Sequence, residues 1–438
     1  MNDIIAFLQR SSYFVLLSRN RNYRSLWLGA LISQMGDWFN LIASASLIEQ
    51  LTGSNVALSG LFLARFLPLF LFSSVAGVFA DRFSRRRILI FTDLARAVTV
   101  LGFLLVREPG DIWLLYLLTA VQFSLSAIFN PAKSAVIANI VEEEDLVTAN
   151  ALDSFTWSTM LALGALAGGI VADQFGIATA FLADAVTFLG AAFFVSRIRV
   201  PATLAQERAS ASSGGWLDFL DGLRYLRGEP FILIIGLTKA GGSLVWGAIN
   251  VLEVNFAHDV FPLDGDGELT LGIIYALTGV GTGLAPLLFR RLFGDTPRRA
   301  LLVIAVGFWF LGPGILALGA APTFPLYGLA TVLRTAGSGT IWVFSAAMLQ
   351  MIVPDRFRGR VFAFEFAALT LTQSISVYWA GFAQDSLGWS LRAVTVGNGV
   401  AALGVAALWS AFALWALSRP ALPIPERAPR GRVQEATP

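Results

Sequence analysis

Gly77-Val-Phe-Ala-Asp81-Arg82-Phe-Ser-Arg85-Arg86-Arg87 sets one carboxylate and a run of arginines between two apolar stretches, roughly 56–80 and 88–106. Each stretch is long enough to cross a bilayer, which takes about 20 apolar residues in a helix. Each arginine left in hydrocarbon would cost about 2.5–3.5 kcal/mol on insertion scales. The turn therefore lies at a membrane surface, and its excess of arginine marks that surface as the cytoplasmic one.

Composition agrees. Of 438 residues 56% are hydrophobic and 14% charged, with mean hydropathy +0.69, whereas soluble domains carry about 25% charged residues. The sequence is that of a multi-pass membrane protein. A net charge of +2 gives no footprint for nucleic acid. The absence of cysteine removes disulfides and thiolate metal sites. One histidine argues against a histidine metal cluster or a catalytic dyad, so no cofactor and no metal are expected. Met1 to Arg24 reads as a cytoplasmic lead-in rather than a cleaved signal peptide.

Twelve spans follow from the apolar runs: about 26–48, 56–80, 88–106, 112–137, 150–172, 177–195, 231–256, 270–289, 300–320, 324–352, 361–384 and 391–417. With both termini cytoplasmic, 25 of the 31 Lys and Arg fall on the inner side, counting Lys133 at the inner end of its span. Only Arg107 and Arg392 fall outside, and Arg65, Arg96, Lys239 and Arg334 lie within spans. This asymmetry fixes an even number of spans with both ends inside. The segment 196–230, with Glu207-Arg-Ala-Ser-Ala-Ser-Ser-Gly-Gly215, has linker composition. It divides the chain into an N-terminal bundle, 1–195, and a C-terminal bundle with its tail, 231–438. Trp216 to Arg227 has the alternation of an interfacial helix.

The halves repeat at an offset of 212 residues: Val141 and Val353, Gly169 and Gly381, Asp173 and Asp385, Gly176 and Gly388, Arg86 and Arg298, and Arg87 and Arg299. Two parallel repeats of six spans are the plan of one large transporter class. The expected fold is thus an all-α membrane protein of twelve transmembrane helices in two six-helix bundles.

With that turn between spans two and three, the chain resembles the major facilitator superfamily over nearly its full length. Gly77, Asp81, Arg82, Arg85 and Arg86 match its cytoplasmic signature, with Ser84 where a glycine is usual. Gly36-Asp37-Trp38-Phe39, Leu63-Ala-Arg65-Phe-Leu-Pro68 and Asn130-Pro-Ala-Lys133 followed by Ala149-Asn150-Ala resemble the branch of enterobactin exporters and macrolide-efflux proteins. The last two stretches are also similar to lysophospholipid flippases. Gly164-Ala-Leu-Ala-Gly168-Gly169 is similar to the antiporter motif of drug exporters but lacks its proline. The resemblance implies alternating access, a small-molecule or lipid-like substrate, protons as the coupling ion, a monomer, and a multi-pass place in the prokaryotic inner membrane. It also implies that the signature turn latches the cytoplasmic ends of the two halves.

Ionisable residues inside spans are functional candidates because burying them is costly. Asp37 lies about 11 residues into span one from the inside, roughly 16 Å at 1.5 Å per residue. Arg65 lies about nine residues into span two from the outside, roughly 14 Å. Both are near the middle of a core about 30 Å thick and are expected to pair. The pair is either a proton switch or a permanent ion pair that sets how the spans pack. Gln34, one turn from Asp37, Gln122 and its repeat counterpart Arg334 complete a polar layer where such transporters hold substrate. For Arg334 the partner is an anionic substrate group, or else a neighbouring carboxylate or backbone carbonyls. Asp81 can face the positive start of span eleven near Arg358-Gly-Arg360. Asp93 and Arg96, three apart, can pair with each other. Asp184, Lys239 and Glu253 lie nearer their span ends, where they are expected to snorkel, with Glu253 also a candidate for an outer gate. His258 is expected to be solvated in an outer loop. No ATP-binding Gly-x4-Gly-Lys-Ser/Thr occurs, and no nucleophile–base pair favours an enzyme.

Overall fold

The computed structural model describes residues 12–72, 83–199, 215–263, 265–294, 296–420 and 422. Among these there is no strand. The helices are α1 (Ser12–Arg19), α2 (Arg21–Thr52), α3 (Asn55–Phe72), α4 (Arg85–Gly102), α5 (Ile112–Ile140), α6 (Leu146–Phe175), α7 (Ile177–Ser196), α8 (Gly215–Gly228), α9 (Pro230–Gly236), α10 (Thr238–Trp246), α11 (Ile249–Asn255), α12 (Glu268–Phe293), α13 (Pro297–Ala320), α14 (Phe324–Ile352), α15 (Asp355–Asp385) and α16 (Leu391–Leu417). Ten helical segments are long and apolar enough to cross a membrane. Two further long helices, α2 with 32 residues and α14 with 29, fall short in apolarity. They are the helices that carry Asp37 and Arg334, and both have many buried residues, α2 on every side over Phe39–Ser46.

Local sequence explains the ends. Asn20 caps α2 by accepting from the Tyr23 N–H, and Gly53 closes the helix at φ 55°, a left-handed conformation that glycine adopts without strain. Residues 230–260 form one broken rod: α9, α10 and α11, then a π turn at Phe256–Val260. Backbone freed at such breaks must find partners where no water is at hand. Here Ser376 of α15 accepts from the Ala248 N–H at 2.8 Å, and Ser243 meets Thr372 of α15 at 2.5 Å.

In the first half α2 packs on α6 and α7, α4 on α5 and α7, and α3 on α5. In the second, α13 packs on α14 and α16, α12 on α14, and α10 on α15. Two long seams join the halves, α6 against α12 and α3 against α15. The repeat recurs at the seams. A side chain at Gly169 of α6 would sit 2.6 Å from the Glu268 carbonyl of α12. One at Gly381 of α15 would sit 2.6 Å from the Asn55 carbonyl of α3. The two glycines, 212 residues apart, thus serve equivalent backbone approaches. The helix expected over 216–227 exists as α8 and lies on the start of α15, where Tyr225 stacks on Phe357 at 4.1 Å.

Candidate functional site

The first half holds a cluster of buried charge. Asp93 and Arg96 of α4 form an ion pair at 2.6 Å and both are buried. The Arg96 guanidinium also lies 4.4 Å from the Phe129 ring centre and 4.5 Å from that of Phe188, a favourable use of an aromatic face. Asp184 of α7 is fully buried. Its Oδ1 lies 3.4 Å from the Thr187 hydroxyl, and its Oδ2 has no hydrogen-bond partner. It does not snorkel: with no long stem to reach a surface, it is held beneath α2. Gly36 makes room for it, since a Cβ there would lie 2.4 Å from Asp184 Oδ1 and 2.0 Å from Thr187 Oγ1.

Asp37 therefore follows immediately upon the point where α2 touches Asp184. It is half-buried and makes no hydrogen bond or ion pair among the described residues. Arg65 is likewise half-buried, with its guanidinium 4.4 Å from the centre of the Phe123 ring. No direct ion pair joins Asp37 to Arg65, although their charges lie within interaction range of each other and of Asp184. Asp37 also lies within range of Arg96. The next residue along α2, Trp38, meets the second half, packing on Tyr275 of α12 with ring centres 5.5 Å apart. Gln34 and the buried Gln122 each leave a side-chain oxygen without a partner.

The second half pairs its charges. Arg334 of α14 bonds Glu253 of α11, and both are buried. The partner of Arg334 is thus a carboxylate of the chain. Gly337 and Gly339 bring its helix against backbone, since a Cβ would lie 2.4 Å from the Gly307 carbonyl and 2.7 Å from Thr282 respectively. Lys239 of α10 pairs with Glu365 of α15 at 3.2 Å and lies 4.4 Å from the Trp342 ring. Lys239 and Glu253 are buried rather than snorkelling, because a counter-charge on a facing helix meets each of them. That meeting depends on tertiary packing, which spacing along one helix does not reveal.

Polar contacts between the halves gather at the helix ends remote from Arg85–Arg87. Asp385 accepts from Ser54 Oγ at 2.8 Å, Asn55 Nδ2 at 2.7 Å and the Val56 N–H at 2.9 Å. Asn255 bonds Asn55, Gln50 donates to Glu268 at 3.0 Å, and His258 sits 3.4 Å from Ser46. His258 is thus part of the seam rather than loose in a loop. At the opposite ends of these helices Leu71, Phe155, Leu287, Leu288 and Leu292 are exposed.

Of the signature turn, Gly77, Asp81 and Arg82 lie outside the described residues. Arg85 and Arg86 open α4, and Arg86 donates to the Ser196 carbonyl at the end of α7. Lys133 pairs with Asp153 at 2.8 Å.

Helices paired into two such halves define a transporter of the major facilitator superfamily. The fold is shared with the solved nucleoside transporter NupG, at TM-score 0.72, 13% identity and coverage of 89% of this chain and 99% of that one. A crystallised D-xylose–proton symporter shares it at TM-score 0.67 and 16% identity, covering 90% of this chain and 97% of the other. Within the superfamily the chain belongs to the transmembrane secretion effector family, whose sequence profile matches residues 12–435. It is similar to the putative bacilysin exporter BacE of Bacillus subtilis, 27% identical across 81% of this chain and 86% of the relative. Macrolide efflux protein A of Streptococcus pyogenes is 22% identical across 84% of this chain and 90% of its own length. The chain is a multi-pass membrane transporter and not an enzyme.

Proposed function

We propose that the chain is a proton-driven exporter of amphipathic or drug-like small molecules that works by alternating access. Its twelve spans place both termini in the cytoplasm, and 1–195 and 231–438 act as two bodies linked by 196–230. The observation that carries this reading is Asp37. It is an acid at mid-membrane depth by its place in the sequence, next to Trp38, which touches the other half, and it has no ion-pair partner among the described residues. An acid held in that way can take up and release a proton as access changes side, and ions at mid-membrane survive where a cycle uses them. Arg65, within range of Asp37 but resting on the Phe123 ring rather than bonded to it, is the cation that the acid can meet as the helices shift. Gln34 and Gln122, each with an unpartnered oxygen, are the polar groups offered to substrate. Arg334, engaged by Glu253, meets substrate only when that pair opens.

The seams are closed at the ends remote from Arg85–Arg87, so this conformation faces inward. The signature turn, with Gly77, Asp81, Arg82, Arg85 and Arg86, latches the inner ends in the opposite state. The names of the relatives, exporter and efflux protein, support the direction.

The test is transport by the purified chain in liposomes under an imposed proton gradient, with fluorescent amphipathic dyes and lysophospholipids as alternative cargo. Dye movement driven by the gradient is the expected result. Gradient-independent movement of lysolipid alone would replace the reading with that of a flippase.

A further inference from the structure

The ends of α4 and α7 enclose an open recess of about 770 Å³. Ser84, Arg86 and Arg87 line it from the start of α4, and Ser196, Arg197 and Arg199 from the end of α7. No carboxylate lines it among the described residues. Four arginines from two helices thus line one volume. Like charges brought together in this way repel unless an anion sits among them.

Two of the four side chains and the backbone of a third are held in place. Arg86 is tied to the Ser196 carbonyl. The Arg197 guanidinium lies 4.2 Å from the Phe193 ring centre. The Arg199 backbone is pinned to α2, its N–H donating to Asn22 Oδ1 at 3.1 Å and its carbonyl accepting from Asn22 Nδ2 at 3.0 Å. Ser84, the N-terminal neighbour of α4, lines the same recess, and its side chain makes no cap hydrogen bond to that helix. Neither Arg87, Arg197 nor Arg199 makes an ion pair among the described residues.

What lies beneath the recess selects the anion. Phe91, Leu94 and Val98 on α4 and Val186, Leu189 and Phe193 on α7 are exposed at three- and four-residue spacing. The two helices pack side by side, so these residues form adjoining apolar stripes running from the recess into the membrane. A small phosphate ion has no use for such stripes, whereas acyl chains do.

We infer that the recess between α4 and α7 binds the phosphate headgroup of an anionic glycerophospholipid from the cytoplasmic leaflet. Its acyl chains lie along the paired stripes. Basic pockets between membrane helices on the cytoplasmic side suit such headgroups. The site needs the orientation given above but not proton coupling, so either reading can fail alone.

The experiment measures lipid retention by the purified full chain, using native mass spectrometry with phosphatidylglycerol or phosphatidylcholine added. The wild-type chain is expected to retain phosphatidylglycerol at one or two saturable equivalents, and phosphatidylcholine at least tenfold less well. Arg87→Gln with Arg199→Gln is expected to remove that preference. Arg227→Gln with Arg291→Gln, which subtracts the same charge elsewhere on the same surface, is expected to keep it. Equal loss in both double variants would overturn the site in favour of general surface charge. Displacement of the lipid by millimolar inorganic phosphate would also overturn it, because the anion alone would then account for binding. Should the first double variant fail to fold, a photoreactive phosphatidylglycerol headgroup on the wild-type chain decides the matter. Labels within 84–87 and 196–199 are expected, and labels confined to other segments overturn the inference.

Discussion

The two halves handle buried charge in opposite ways. In the second half both deep cations are matched, Arg334 with Glu253 and Lys239 with Glu365. In the first half Asp37, Asp93 and Asp184 lie near Arg65 and Arg96, and among the described residues only Asp93 and Arg96 of these are in direct contact. Asp184 keeps an unpartnered oxygen, and Arg65 rests on an aromatic ring instead of a carboxylate. A matched pair in low dielectric is a fixed joint, since removing either member strands the other. An unmatched acid is a group whose protonation can change without taking a joint apart. Under the proposed function, proton chemistry belongs to the first half and rigidity to the second.

The strongest blow to that contrast would come from Asp37. Asp37→Asn is expected to abolish gradient-driven transport while leaving folding and substrate binding unchanged, measured in liposomes beside a binding assay on the same preparation. Uphill transport at the normal rate by this variant would end the coupling role. Asp184→Asn sharpens the point: it preserves shape and removes the second buried acid beside Asp37, so it is expected to slow gradient-driven transport without reducing thermal stability. A large loss of stability would instead place Asp184 among the fixed joints.

The second half is expected to respond in stability. Glu253→Gln strands the Arg334 charge, a loss of about 3–5 kcal/mol for a buried pair broken on one side. Glu253→Leu with Arg334→Met should recover most of it, because a packed apolar pair removes both desolvation costs together. Unfolding temperatures in one detergent would measure both effects. A double variant no more stable than the single one would show that the pair does more than neutralise itself.

Much of the frame is legible in the sequence, because hydrocarbon imposes rules that act locally. A helix must satisfy its own backbone, and arginines must stay at the inner surface. The turn at 77–87 therefore betrays its setting without a partner in view. The residues of the candidate site are legible by the same rule, as charges where none should be. Their partners are not. Asp93 and Arg96 are readable because they are three apart on one helix, whereas Glu253 with Arg334 and Lys239 with Glu365 meet across helices. Asp37 and Arg65 stand at matching depths, yet depth alone does not fix rotation about the helix axis. A missed signal was Gly36: a glycine adjoining an intramembrane acid admits a side chain from another helix, and here it admits Asp184.

The smallest expected effect tests whether the contrast extends to the repeat itself. Asp173 and Asp385 occupy equivalent positions at the ends of α6 and α15. Asp385 receives the Val56 N–H and the side chains of Ser54 and Asn55 at the start of α3, while Asp173 makes no hydrogen bond or ion pair among the described residues. A carboxylate at a helix start satisfies N–H groups left free there and faces the positive end of the dipole. Losing it costs about 1–2 kcal/mol, felt only in the state in which this seam is closed. Asp385→Ala should therefore shift the equilibrium toward opening on that side several-fold, and Asp173→Ala should not. The chain has no cysteine, so Ser59→Cys, placed in the seam against Gly381, reports opening without background labelling. Faster labelling in the Asp385 variant alone is the expected outcome. Equal rates in both would mean that the two seams are gated alike and that the asymmetry stops at the charged interior.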